Sequence, residues 1–368
     1  MSSPQRPPPP MTLGRYEVGP RVGGGGMAHV YVGRGVTDDG REELVALKVI
    51  RDEYGRDARH LRMFSDEAKI LARLSHPNVI RTLEYGITRD HRFIAMELLA
   101  GRTLADLWDA LVERGGRLSY RLGAWICAQV AAGLHAAHEL TDEHGGPLSV
   151  IHRDVNPWNV FLTYAGEVKL IDFGLAKARV RRERSVDGLV KGKLAYLAPE
   201  QLRTGPIDRR VDIYALGTTL WEVGTLTRLF KRDTDVATLL AIREAHVPDP
   251  REVVSDYPDA LHAVVDRALR RDREERHPDA DALRRELDAF VLASDGDMRR
   301  ELTLLLGELF RGEGAQHSSW RREAVSLRPL ATMPPPPVPV PIASTHLLSA
   351  TNATELDDAD VELVLDEP

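Results

Sequence analysis

Between Ile151 and Gly174 the chain sets three side chains able to handle a metal ion and a proton at fixed spacing: Asp154, Asn159 and Asp172. A carboxylate beside an amide offers the hard oxygen ligands that magnesium takes, and a further carboxylate is left to accept a proton. Asp154 and Asn159 share one irregular stretch, Ile151-His152-Arg153-Asp154-Val155-Asn156-Pro157-Trp158-Asn159. The apolar run Val160-Phe161-Leu162 behind it reads as a short buried strand, and Val168-Lys169-Leu170-Ile171 as its hairpin partner across Ala165-Gly166. Such a hairpin carries the loop at one end and Asp172 at the other, so the three groups converge. An ordinary hairpin with surface acids is the plain alternative, but a chance match to both halves at this separation is improbable.

Other elements must bring a phosphate carrier to that point. Strand-like runs at Tyr16-Glu17-Val18, Val30-Tyr31-Val32 and Leu44 to Ile50 surround Val22-Gly23-Gly24-Gly25-Gly26. Glycines let the backbone approach phosphates closely and aim N–H groups at them, although a glycine cluster alone is more often a flexible turn. Lys48 sits in the third, apolar strand, where an ammonium needs an exposed face or a buried partner. Glu67 supplies one: Phe64, Ala68, Leu71 and Leu74 recur at helical spacing and Glu67 lies beside that inward face. Its neighbour Asp66 points about 100° round the helix. Two more strands read from Val79 to Tyr85 and from Arg92 to Glu97, and long helical patterns begin at Gly101. The helix read from Leu122 to Leu140 carries Ile126, Val130, Leu134 and Ala137 as its buried stripe.

The motif order resembles that of the eukaryotic-type (Hanks-type) Ser/Thr protein kinases of bacteria, over roughly residues 14–293. It runs from the glycine loop through Ala46-Leu47-Lys48, Glu67, His152-Arg153-Asp154 and Asp172-Phe173-Gly174 to Ala198-Pro199-Glu200. The resemblance implies an α+β, two-lobed protein kinase fold, with a small β-rich N-lobe over 14–100 and a larger helical C-lobe over 101–293. It implies ATP and Mg2+ as cofactors and proteins as substrates. Val22, Gly23, Gly24, Gly25, Gly26, Val30, Ala46, Lys48, Met96, Glu97 and Leu99 would surround the nucleotide, with Met96 as gatekeeper and Glu97 to Ala100 as hinge. Lys48 would pair with Glu67, Asn159 and Asp172 would hold the metal, and Asp154 would accept or orient the acceptor's proton. His152 and Phe173 are expected to pack between the lobes, and Arg153 to meet a phosphorylated activation loop. Asp212 would cap the catalytic loop backbone, Tyr196 would be structural, and Arg276 would pair with Glu200.

Three positions depart from the family pattern. Ala28 replaces a glycine, where the preceding glycines still allow close approach. Asn156 stands where Ser/Thr kinases usually have lysine, and Lys193 follows Gly192 where they usually have threonine. Lys193 is expected to restore the missing cation from the opposite side, with Asn156 in a neutral hydrogen-bonding role; the alternative is a solvent-facing Lys193 and reduced activity. Pro157 favours Ser/Thr over Tyr as acceptor. Between Leu175 and Leu197 the hydroxyls are Ser185 and Tyr196, which makes Ser185, among Arg181, Arg182, Arg184 and Lys191, the candidate phosphosite. The implied activity is a protein Ser/Thr kinase with autophosphorylation in signal transduction. A pseudokinase scaffold that binds nucleotide and a partner protein is one rival. A small-molecule phosphotransferase is another, against which the protein-substrate segment Ala198-Pro199-Glu200 argues.

Composition sets outer bounds. A net charge of −7 over 368 residues gives no basis for nucleic-acid binding, and the single cysteine, Cys127, excludes an intrachain disulfide. The start of the chain has no apolar core for a signal peptide and no run of eighteen apolar residues occurs, so a cytoplasmic protein without a membrane span is expected. Residues 1–13 read as a disordered proline-rich leader. Within 294–328 an extra amphipathic helix, Asp297 to Phe310, must bury Leu302, Leu305, Leu306, Leu309 and Phe310 on the kinase or on a protein partner. Residues 329–368 read as a proline-rich linker and an acidic disordered tail, with docking of a partner and competition for the basic activation segment as the two roles its composition allows.

Overall fold

A computed structural model of the chain describes residues 12–24, 28–36, 40–54, 57–88, 91–173, 192–293 and 295–313. The N-terminal part is an antiparallel sheet of β1 (Thr12–Leu13), β2 (Tyr16–Gly24), β3 (Ala28–Val36), β4 (Glu42–Ile50), β5 (Thr82–Ile87) and β6 (Arg92–Glu97), in the order β1-β2-β3-β4-β6-β5. Strand β4 is central and buries both faces. Val45, Leu47 and Val49 pack with Leu13, Tyr16 and Phe93, whereas Ala46 and Ile50 pack with Phe64, Ala68 and Met96. Successive side chains alternate faces, so Lys48 shares its face with Ala46 and Ile50. That face looks toward helix α1 (Ala58–Arg73), which carries Phe64, Glu67 and Ala68.

The leader expected over 1–13 needs correction at its end. Thr12–Leu13 form a strand on β2, and Leu13 is fully buried because its side chain completes the outer cluster of the sheet. The strand expected from Val79 to Tyr85 also shifts to Thr82–Ile87. Its first residues pair elsewhere: the Ile80 amide donates to the Leu170 carbonyl at 3.0 Å and the Leu170 amide to the Asn78 carbonyl at 2.8 Å. This segment thereby ties the upper sheet to the catalytic hairpin.

A second sheet follows the hinge: β7 (Gly101–Thr103), β8 (Val160–Thr163) and β9 (Val168–Leu170). Gly101 is required there, since a Cβ would fall 1.9 Å from the Leu162 carbonyl oxygen. Thr103 then starts α2 (Leu104–Glu113) with a reciprocal cap, its hydroxyl accepting from the Asp106 amide and the Asp106 carboxylate from its own amide. The helical lobe contains α3 (Tyr120–His138), α4 (Arg210–Thr225), α5 (Asp235–Glu244), α6 (Pro250–Val253), α7 (Asp259–Ala268) and α8 (Ala280–Leu292). Helix α4 is buried from Val211 to Thr225 and forms the core of this lobe.

Helix α9 (Met298–Leu309) starts at Asp297, which caps it through the Arg300 amide, and buries Met298, Leu302 and Leu306 in the same core. The amphipathic face seen in the sequence is therefore covered within the chain. Among the described residues, no helix is long and apolar enough to cross a membrane. The architecture is the two-lobed α+β kinase fold implied by the motifs.

Candidate active site

Lys48 projects from β4 with its ammonium 2.8 Å from the Glu67 carboxylate and 2.9 Å from that of Asp172. Glu67 is the inward acid of α1, 4% exposed, while Asp66 faces solvent, as the helical spacing requires. Burial opposes the charge of Lys48, yet the carboxylates of Asp172 and Glu67 hold its ammonium well above the ordinary lysine range. Two lobes thus meet through one cation.

The catalytic loop is held from beneath by Asp212, a buried acid near the start of α4. Its carboxylate accepts from the His152 amide at 2.8 Å, from the Arg153 amide at 2.7 Å and pairs with the His138 ring at 2.8 Å. Arg153 takes a positive φ of 63°, which folds the loop back and presents Asp154. The Asp154 amide donates to the His152 ring at 3.2 Å, and that ring packs on Phe173 with centroids 4.4 Å apart. Asn159 donates through its amide nitrogen to the Asp154 carbonyl at 2.7 Å and carboxylate at 2.8 Å. Its Oδ1, on the other arm of the amide, faces the Lys193 ammonium at 3.4 Å. Asp172 has a 55% exposed side chain beyond β9, at a positive φ of 54°. This sparse pair of hard oxygens suits magnesium, which takes one or two protein ligands and completes its shell with water and phosphate.

Asn156, 1% exposed, does something narrower than chemistry. Its amide nitrogen donates to the Asp154 carbonyl at 2.7 Å and its oxygen accepts from the Trp158 amide at 3.1 Å, capping the 3₁₀ turn Pro157–Asn159. Both ends of the side chain serve the loop backbone, so the neutral hydrogen-bonding role is internal to the loop. Lys193, 16% exposed, comes from the far side: its ammonium lies 3.6 Å from the Asp154 carboxylate and 3.4 Å from Asn159 Oδ1.

Lys193 opens the 3₁₀ turn Lys193–Tyr196, whose remaining residues are buried. Tyr196 donates to Glu222 of α4 at 2.6 Å, and Arg228 bonds both groups while stacking over Trp108. Glu200 and Arg276 form a two-point pair at 2.6 and 2.9 Å behind this segment. The acids and arginines of the motifs were legible in sequence, but Glu222 and Arg228 were not. A buried phenol requires a partner, and no periodicity reveals which residue supplies it.

Val22, Gly23 and Gly24 end β2, with Gly23 opposite Val30 and Gly24 opposite His29. Gly25 and Gly26 lie outside the described residues, as do Ser185, Arg181, Arg182, Arg184 and Lys191. Ala46 pairs in register with Met96, which is buried in the inner cluster of the sheet. The Glu97 side chain accepts from the Arg81 amide at 2.8 Å and from Lys169 at 3.0 Å, fixing the start of the hinge, and Leu99 follows half-buried.

The model of the protein kinase domain family matches residues 16–286. Tyrosine-protein kinase MasK of Myxococcus xanthus is 37% identical over 278 residues, 76% of this chain and 43% of that protein. Serine/threonine-protein kinase PknL of Mycobacterium tuberculosis is 34% identical over 277 residues, 75% of this chain and 66% of that protein. The chain thus spans less than two thirds of the length of these relatives. The crystal structure of the Mycobacterium tuberculosis PknI kinase domain shares the fold with a TM-score of 0.57 at 24% identity, covering 76% of this chain and 97% of that one. Fold, motif order and family match agree: the chain belongs to the protein kinase family, of the eukaryotic type found in bacteria.

Proposed function

We propose that this chain transfers the γ-phosphoryl group of ATP to Ser and Thr hydroxyls of proteins, its own Ser185 included, as a cytoplasmic signalling kinase. One observation supports the reading: Lys48 of β4 bonds Asp172 beyond β9 at 2.9 Å, Asn159 bonds the Asp154 carboxylate at 2.8 Å, and the Ile171 amide, next to Asp172, donates to the Asn159 carbonyl at 2.9 Å, which ties the two pairs together. Lys48 orients phosphates and is itself oriented by Glu67. Asp154 receives the acceptor hydroxyl's proton or aligns that hydroxyl, while the Asp212 bonds keep the loop from relaxing. Asn159 and Asp172 would hold magnesium, which supplies neutralising charge beside the phosphates when bound. Glycine backbone at Gly23 and Gly24, the side chains of Val22, Val30, Ala46 and Met96, and the hinge at Glu97 and Leu99 would enclose the nucleotide.

Pro157 and the name of the Mycobacterium tuberculosis relative support Ser/Thr; the name of the Myxococcus xanthus relative makes tyrosine the competing acceptor. The test is magnesium-dependent transfer of labelled phosphate by wild type and Asp154→Asn, with phosphoamino-acid analysis and site mapping. Label on Ser or Thr that vanishes in Asp154→Asn is expected. Phosphotyrosine would reassign the acceptor, and nucleotide binding without transfer would favour a pseudokinase scaffold.

A further inference from the structure

Position 156, inside the catalytic loop, carries a neutral side chain whose amide is committed to the Asp154 carbonyl and the Trp158 amide. Lys48 is committed to Glu67 and Asp172. A side-chain ammonium nevertheless stands beside the Asp154 carboxylate, and it arrives on a different element. Gly192, at a φ of 106° that residues with a side chain seldom adopt, opens the turn whose first residue, Lys193, faces the loop. The turn behind it is fixed by the burial of Leu194, Ala195 and Tyr196 and by the Tyr196–Glu222 bond at 2.6 Å. A lysine that is 16% exposed and aimed at a 5% exposed carboxylate is not a solvent-facing surface charge. Its distances of 3.6 Å to Asp154 and 3.4 Å to Asn159 Oδ1 place one charge between the base and the amide.

We propose that Lys193 is the positioning cation of the transfer, fixing Asp154 and Asn159 together and adding positive charge where the phosphoryl group moves, from the substrate-binding segment rather than from the catalytic loop. This rests on the kinase function proposed above. The arrangement makes the catalytic loop complete only while the Gly192–Tyr196 turn is docked on α4. Charge, not bulk, is what Lys193 contributes.

The experiment compares full-length wild type, Lys193→Met, Lys193→Arg and Lys193→Thr, at saturating ATP and magnesium with a fixed protein acceptor. Removing the charge in Lys193→Met or Lys193→Thr should lower kcat about 10–100-fold while the KM for ATP moves less than about threefold. Lys193→Arg should recover most of that loss. Thermal melting supplies a readout apart from activity. Lys193→Met should shift Tm differently in the wild-type and Asp154→Asn backgrounds, by about 1–3 °C beyond additivity. Wild-type transfer with Lys193→Met retaining more than about a third of kcat would overturn the proposal alone, as would an additive melting cycle. A wild type that binds nucleotide yet transfers nothing would overturn the kinase reading and this one together.

Discussion

Asp212 is 1% exposed and holds three partners, the amides of His152 and Arg153 and the ring of His138. Burial works against its charge, but those bonds and the nearby imidazoles keep its carboxyl below the usual range. Asp212→Asn keeps the shape and weakens the bonds, so we expect a loss of about 2–4 kcal/mol of stability, read as a lower Tm. Activity should fall further than the unfolded fraction explains, because Asp154 rides on the same loop. The pH dependence has a definite sign. A folded-state pKa below the unfolded value adds stability above pH of about 4 and loses it as pH falls. The difference between wild type and Asp212→Asn should therefore shrink below that pH. Residues of this kind were legible because the motif names them. Asn156 was legible as a departure with a neutral hydrogen-bonding role but not by its partners, since its two backbone bonds depend on a loop geometry that no spacing encodes.

At the scale of elements, the periodic segments were the readable ones. The helix read from Leu122 to Leu140 appears as Tyr120–His138. Strand β7 was missed because three residues give no alternation to detect, and β5 was misplaced because Val79 and Ile80 are apolar for a different reason, the junction with β9. Helix α9 was found by its apolar face, but its seat was not. It packs beside the hairpin turn that separates β8 from β9, where a Cβ on Gly166 would fall 2.4 Å from the Arg299 carbonyl oxygen. Gly166 also sits at a φ of 76°, so Gly166→Ala should both strain the turn and lift α9, costing about 1–3 kcal/mol. Leu302→Ala and Leu306→Ala, each at a fully buried side chain, should cost about 2–5 kcal/mol each in denaturant melts. Arg102→Ala removes the partly exposed bond to Glu313 and should cost about 1 kcal/mol or less. If all four variants melt alike, α9 is not held by its apolar face.

At the scale of the whole molecule, the two lobes share a cation, and magnitudes decide how that cation works. Lys48 bonds Glu67 within the upper lobe and Asp172 on the lower one at nearly equal distances, 2.8 and 2.9 Å. The surroundings differ: the Glu67 side chain is 6% exposed and that of Asp172 55% exposed. Removing a carboxylate charge from beside a buried ammonium leaves that ammonium poorly compensated, whereas an exposed pair is worth about 0–1 kcal/mol. Glu67→Gln should therefore lower Tm in the absence of nucleotide, and by more than Asp172→Asn does, because water compensates the ammonium more readily on the exposed Asp172 side. Ligand binding separates the two in the opposite direction. A nucleotide that binds only the folded chain stabilises it by about 2.7 kcal/mol at a hundred times its Kd. Wild type should show this rise in Tm with magnesium and ATP. Asp172→Asn should lose most of the magnesium-dependent part while starting from the smaller baseline loss, and Glu67→Gln should retain a rise from the larger one. Melting curves on three proteins, with and without magnesium and ATP, read both quantities. Equal baseline losses in the two variants would mean that the lobes are joined by a structural bridge at Asp172 rather than by a site held ready for phosphate.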